Sequence, residues 1–526
     1  MKSQPPRPAP RQTNWLVWVL LAAILLGAFV IRWRLRACPL ERDEGEYAYI
    51  GRLILEGVAP YGVAGNHKFP GAYLAYAAIM AVFGQTIPGI HLGMLVVNLA
   101  NTLLIFFLGR RLSGTPVGLA AAAAWVVMSI SPGVYGNAGH ITHLVVLAVL
   151  TGAVLLWRWE EKGHVWDLIG AGLCLGASVV VRQTSAVFVL LGVVFVWRAA
   201  SAPRAKQVAI VLLSSAVPLV AMGAWLWFAG VFPQFWRWTF TEAAAYGSQV
   251  SFGAGLHNFL ETTPLVIGWN CLIWIGAAAG LVLAFRERSQ ASWFVIGLLI
   301  AGGAALSAGL YFRGHYYIQV LPAIALLFAM ALQKASNLGG GLRYIPAIGT
   351  TLACVLPLVA QRSYFLETQP IAMSRYVYKA NPFPETIEVA RYLRENSDPT
   401  DLIGVLGSEP QIFFYAQRRS ATSLIYTYPL MEHHRYAHGM QETMAHELEE
   451  TNPKFIVFVN APTSWLSNPD SDQFILEWAD RFLSRYYQLE GMADILAEGS
   501  QYVWGPAAKS YRPRSPYTVD VYRRID

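Results

Sequence analysis

The sequence predicts a polytopic α-helical membrane body of about 11 transmembrane helices, followed by a soluble C-terminal α/β domain. Three observations carry that expectation. Of the 526 residues, 55% are hydrophobic and only 13% charged, with a mean hydropathy of +0.40; a soluble domain carries about 25% charged residues. Long apolar runs recur through residues 1–361. The charge also changes character there: residues 1–361 hold 23 basic and 11 acidic side chains, while residues 362–526 hold 16 and 21. This composition excludes a secreted, a cytosolic or a largely disordered protein. The net charge of +7 is no nucleic-acid footprint, because the basic excess sits in loops between apolar runs.

Spans are expected at 14–31, 89–109, 115–131, 141–157, 165–181, 184–198, 207–229, 264–285, 292–311, 316–333 and 344–361. Each approaches the roughly 20 residues that cross a bilayer, with 184–198 short enough to start below the interface. Lys and Arg in the short loops orient them. With the N-terminus cytoplasmic, 14 basic residues fall inside and nine outside, six of those nine in the single loop 32–70. An odd number of spans then places the C-terminal domain outside. The expected organisation is a Pro-rich cytoplasmic tail (1–13), a membrane domain (14–361) with outer loop 32–88, and an extracytoplasmic domain (362–526). No small-x-small cleavage site follows the first span, so it reads as an anchor rather than a removed signal. Cys38, Cys174, Cys271 and Cys354 form no CxxC, so neither a zinc site nor a disulfide framework is indicated.

Beyond a linker expected at 362–383, helical and strand patterns alternate. ETIEVARYLREN reads as a helix, DLIGVLG as a buried strand, MQETMAHELEE as a helix, PKFIVFVN as a second buried strand, and 472–484 as a helix. This suits a small parallel or mixed sheet. The segment lacks GxGxxG and GxxxxGKS/T, so nothing marks a nucleotide site.

The chemistry concentrates in the first outer loop. Five of the eleven acidic residues of the membrane part fall between 41 and 56: Glu41, Asp43, Glu44, Glu46 and Glu56. Charge near the hydrocarbon boundary is costly, so such a cluster suggests a task, although solvated loop charge beside headgroups is the plainer reading. Glu46 to Glu56 predicts an amphipathic helix with Tyr47, Ile50, Leu53 and Ile54 on one side, stopped by Gly57. Residues 71–84 predict a helix lying in the interface. A carboxylate pair, Asp43-Glu44, at a cavity mouth suits a general base, and Lys68 before a Pro-Gly turn suits a phosphate. Arg182 and the Arg313/His315 pair stand at outer helix junctions, where snorkelling competes with anion binding as the explanation. His140 and His143, three apart, have a spacing that can share a metal. The loop 230–263 adds Trp236, Arg237, Trp238, Glu242, His257 and Glu261, which suit a sugar, a headgroup or a plain interfacial segment.

In their order along the chain, R-D-E-G-E-Y-A-Y, G-V-A-P-Y, H-K-F-P-G-A-Y, V-R-Q-T-S and F-R-G-H-Y-Y-I-Q-V-L-P-A make the sequence resemble the GT-C membrane glycosyltransferases. These use polyprenyl-phosphate-linked sugars, and the likeness is to the branch of aminoarabinose transferases and protein O-mannosyltransferases. The resemblance implies that Asp43 takes the catalytic carboxylate position with Glu44 beside it. It implies that Lys68, Arg182 and Arg313 contact the donor phosphate, with Tyr61, His143 and His315 as further substrate-binding candidates. The implied reaction is displacement at the anomeric carbon with inversion, onto a lipid, glycan or protein acceptor. The protein is then expected in the bacterial inner membrane among its lipids, with no assured cofactor, though a divalent metal is compatible. One departure is visible: relatives carry a second acidic residue after the third span, where this chain has Asn137, His140 and His143. A transporter or flippase of lipid-linked sugars is the competing class; it predicts internal repeats and midplane charges, and neither stands out in the sequence.

Overall fold

A computed structural model describes residues 15–199, 204–244, 249–337, 339–497 and 499–525; the expected tail 1–13 lies outside them. The membrane part is built from α1 (Trp15–Leu35), α2 (Arg42–Leu55), α3 (Gly71–Phe83), α4 (Ile87–Ser113), α5 (Thr115–Ile130), α6 (Thr142–Lys162) and α7 (Val165–Val181). It continues with α8 (Ala186–Ala199), α9 (Arg204–Phe228), α10 (Phe252–Ile267), α11 (Cys271–Glu287), α12 (Gln290–Ser307), α13 (Leu321–Ser336) and α14 (Ile345–Ala360). By length and composition, six helices among the described residues are long and apolar enough to cross a membrane, counting Phe252–Glu287 as one, and the remaining expected spans fall on shorter apolar helices. The protein is thus a multi-pass membrane protein.

Local chemistry explains where the elements differ from expectation. The helix expected from Glu46 begins at Arg42, because Glu41 caps it: the Glu41 carboxylate accepts the Glu44 N–H, and the Glu44 carboxylate accepts the Glu41 N–H. Asp43 therefore stands on the first turn of a helix instead of in a loop. The expected outer loop 230–263 is largely helical, with Phe232–Trp236, Arg237–Glu242 and α10. Ser251 caps α10 by accepting the Ala254 N–H, and Pro264 lies inside the helix rather than before it. The expected linker holds two helical segments, Ser363–Glu367 and Pro370–Tyr378.

The tail contains the three expected helices, as α15 (Phe383–Glu395), α16 (Ala437–Thr451) and α17 (Phe474–Tyr486). Its strands are β1 (Leu402–Leu406), β2 (Arg419–Ser420), β3 (Phe455–Asn460), β4 (Tyr487–Asp494), β5 (Gln501–Trp504) and β6 (Thr518–Arg524). They form one mixed sheet in the order β2-β1-β3-β6-β4-β5. β1 runs parallel to β2 and β3, and the remaining pairs are antiparallel.

The tail is fastened to α2. Tyr47, Ile50 and Leu53 share one buried apolar cluster with Val405, Leu406 and Phe413. Arg42 pairs with Glu409 at 2.5 Å, and Arg52 donates to the carbonyls of Phe413 at 3.2 Å and Arg418 at 3.0 Å. Gly45 permits the approach: a Cβ there would stand 2.6 Å from the Gln411 nitrogen. Arg42→Ala strands the buried Glu409 carboxylate and is expected to cost about 3–5 kcal/mol. Gly45→Ala is expected to cost about 1–3 kcal/mol through overpacking. Unfolding of the detergent-solubilised protein checks both, and wild-type midpoints would contradict the docking described.

Candidate active site

Helix α2 carries three carboxylates on its first turns, and each has a different environment. Asp43 faces a cavity of about 500 Å³ that is also lined by Lys68, Arg182, Arg313 and His315. Lys68 Nζ lies 2.9 Å from Asp43 Oδ1 and 2.5 Å from Glu46 Oε2, so one ammonium bridges two carboxylates. The Tyr426 hydroxyl donates to Asp43 Oδ1 at 2.9 Å, and the Tyr73 hydroxyl donates to Glu46 Oε1 at 2.6 Å. His315 Nε2 stands 3.8 Å from Asp43 Oδ2. Across the cavity, the Arg182 guanidinium lies 3.9 Å above the Tyr316 ring, which fixes its direction. Much of the remaining lining is apolar, including Ile141, Val181, Phe240 and Ala308. A hollow with apolar wall residues and several cations suits an anionic head on an apolar tail.

The two carboxylates that share Lys68 are driven apart. Burial would raise the Asp43 carboxyl, but the charges of Lys68 and Arg313 hold it well below the usual carboxylate range. Burial raises Glu46 against the pull of Lys68, and the charge of Asp43 pushes it further up. The same pair of carboxylates lifts Lys68 well above the ordinary lysine range, against its burial. Asp43 is thus the more acidic of the two, and opposite shifts of neighbouring carboxyls separate their roles.

The other expected site residues divide. Lys68, Arg182, Arg313 and His315 are at the cavity with Asp43. Glu44 is not: its carboxylate accepts the Gly139 N–H at 2.6 Å and pairs with His91 at 3.0 Å, tying α2 to the loop that carries His140. Tyr61 does not line the cavity either. Its backbone is left-handed (φ 71°), and its hydroxyl donates to the Lys68 carbonyl at 2.6 Å, so it props the lysine segment. His143 lies on α6 with its ring edge-on to Trp125, 6.2 Å away. The histidine that joins His140 is His315 instead, their rings stacked at 4.1 Å and 9°.

Asp43, His140 and His315 each offer one ligand atom, all within 4.8 Å of one another. Among the described residues, both ring nitrogens of His140 and Nδ1 of His315 have no hydrogen-bond partner though buried; burial lowers His140 to about 4 and His315 well below the ordinary histidine range, leaving neutral imidazole donors. Two imidazoles and a carboxylate could hold a divalent transition metal. Three participants escaped the sequence reading. Glu46 was visible only as one member of the acidic cluster. Tyr426 and Tyr428 come from the tail, 383 residues from Asp43 in the case of Tyr426, and no local pattern could join them.

Residues 67–228 match the family described as dolichyl-phosphate-mannose-protein mannosyltransferase. No curated protein matches the sequence. Among solved structures, the chain is similar to ArnT from Cupriavidus metallidurans bound to undecaprenyl phosphate. The TM-score is 0.61 at 15% identity, covering 97% of this chain and 98% of that one. It is also similar to the archaeal oligosaccharyltransferase AglB from Archaeoglobus fulgidus, solved with an inhibitory peptide and a dolichol-phosphate. There the TM-score is 0.53 at 13% identity, covering 98% of this chain and 77% of that one. The chain has the GT-C fold. The stretch that matches the family model runs from His67 through α9, so it includes Lys68 and Arg182 but not the helix that carries Asp43.

Tyr426→Phe removes one donor from Asp43 and leaves Lys68 in place. It is expected to lower turnover about ten- to a hundred-fold, the worth of one hydrogen bond to a charged group, with unchanged unfolding. A wild-type rate would show that the tail contributes nothing to the carboxylate.

Proposed function

We infer that this chain is a membrane glycosyltransferase that moves a sugar from a polyprenyl-phosphate-linked donor onto an acceptor, with inversion at the anomeric carbon. The observation that carries the reading is Asp43 held ionised by Lys68 at the end of an apolar-walled cavity, with Arg182 and Arg313 at the same cavity. The donor's tail lies along the apolar wall, and its phosphate meets the cations. ArnT with undecaprenyl phosphate and AglB with dolichol-phosphate support this class of donor.

Asp43 takes the proton of the acceptor hydroxyl or amine as that atom forms its bond to the anomeric carbon. The bond from that carbon to the phosphate oxygen breaks, and its electron pair leaves with the lipid phosphate. A phosphate leaving group needs charge stabilisation more than a proton, which Lys68, Arg182 and Arg313 supply. In the resting site Lys68 weakens Asp43 as a base. An arriving phosphate offers Lys68 a third anion, and the release of Asp43 from that pairing raises its basicity when the donor is present. The acceptor is a lipid, a glycan or a protein on the outer side of the bacterial inner membrane. The N-terminus then faces the cytoplasm, and the tail stands outside.

With synthetic polyprenyl-phosphate sugars, Asp43→Asn is expected to lose about 10²–10⁴-fold in transfer by purified protein, and intact transfer would remove Asp43 from the mechanism. Lys68→Met tests the electrostatics separately. The acid limb of kcat/KM reports Asp43 in the free enzyme and is expected below the usual carboxylate range. Removing the cation that lowers Asp43 moves that limb to higher pH; a limb that stays in place would break the assignment.

A further inference from the structure

A second cavity of about 540 Å³ adjoins the first. Tyr311 and Arg313 line both, so they form a common wall. On its other sides the cavity is bounded by residues 249–258 of the membrane part and by 462–468 of the tail, with Glu432. Its polar groups are two amides on one bank, Gln249 and Asn258, and Thr463, Ser467 and Asn468 on the other. Helix α10 is divided accordingly: Ala254 and Asn258, four residues apart, face the cavity, while Phe252, Leu256 and Leu260 are exposed apolar side chains suited to lipid. The backbone beside that wall is strained. Leu310 and Phe312, which flank Tyr311, have positive φ, at 58° and 47°, and strain of this kind persists where surrounding structure enforces it, often at sites.

We propose that this second cavity is the acceptor subsite and that it takes a neutral glycan. The inference deepens the transfer reading and rests on it for the fate of the bound molecule. Amides, hydroxyls and a carboxylate beside an aromatic ring are the groups that bind sugar hydroxyls and stack on a sugar's apolar face. A peptide strand would want a free sheet edge, but β3, which leads into 462–468, is paired on both sides by β1 and β6. An anionic lipid headgroup would want several cations, and Arg313 is the basic residue among those lining the cavity. The acceptor hydroxyl reaches past Tyr311 and Arg313 toward Asp43, while the rest of the glycan stays on the tail side.

Saturation-transfer NMR on the full chain in detergent tests this with neutral gluco-, manno- and galacto-configured oligosaccharides, a threonine-rich peptide and undecaprenyl phosphate as probes. At least one oligosaccharide is expected to bind and to remain bound in excess undecaprenyl phosphate. Ser467→Trp, an exposed position with little folding cost, is expected to weaken it about tenfold or more, and Asn258→Ala in the same direction. Asp43→Asn is expected to leave this binding unchanged, so the subsite stands or falls separately from the transfer chemistry. Failure of every oligosaccharide, displacement by undecaprenyl phosphate, no effect of Ser467→Trp, or binding of the peptide in their place would each overturn the proposal.

Discussion

One ammonium group organises the site. Lys68 lies between Asp43 and Glu46, and three largely buried charges of this kind are tolerable only because each has its partner. Without the lysine, two carboxylates one helical turn apart would repel in a weakly screened pocket. Without the carboxylates, the lysine would be a buried, unpaired cation. The arrangement also fixes which carboxylate is exposed to substrate: Glu46 is fully enclosed and bonded to Tyr73, while Asp43 opens to the cavity. Glu46 therefore holds the lysine from the enclosed side, and Asp43 is the carboxylate that opens to the cavity.

That constraint reaches outward through α2. Its first turn is capped by Glu41, and its Glu44 is bound to Gly139 and His91, which ties the helix to the loop bearing His140. Its opposite flank is embedded in the tail through Arg42, Gly45 and Arg52. The tail returns Tyr426 to Asp43. The tail is consequently part of the wall of the cavity that holds Asp43 and not an appendage to it. This gives the tail a chemical role that its own residues, read in isolation, did not disclose.

The cations at the cavity are placed by different means. Lys68 is set by carboxylates and by the Tyr61 hydroxyl on its carbonyl. Arg182 is set by the Tyr316 ring, at the end of α7 where the helix gives way to extended backbone. Among the described residues Arg182 has no carboxylate partner, so its guanidinium can meet an anion without first breaking an ion pair. The lysine, in contrast, is held by two carboxylates and meets a further anion only by exchanging partners.

Much of the architecture was legible in the residues themselves. Apolar runs must be helical in lipid because every backbone polar group needs an internal partner, so the spans followed from composition. The acidic cluster, Lys68, Arg182, Arg313 and His315 stood out because charge beside lipid is expensive and therefore conspicuous. What the sequence did not disclose were relations that depend on three-dimensional proximity. Asp43 and Glu44 are neighbours in the chain, yet on a helix adjacent side chains diverge by about 100°, so one meets the cavity and the other a histidine. His140 and His143 are close in sequence but point to different surroundings, while His315 arrives from the far side of the bundle. The chain alone determined which residue types are available near the membrane surface; only packing decided which of them share a charge.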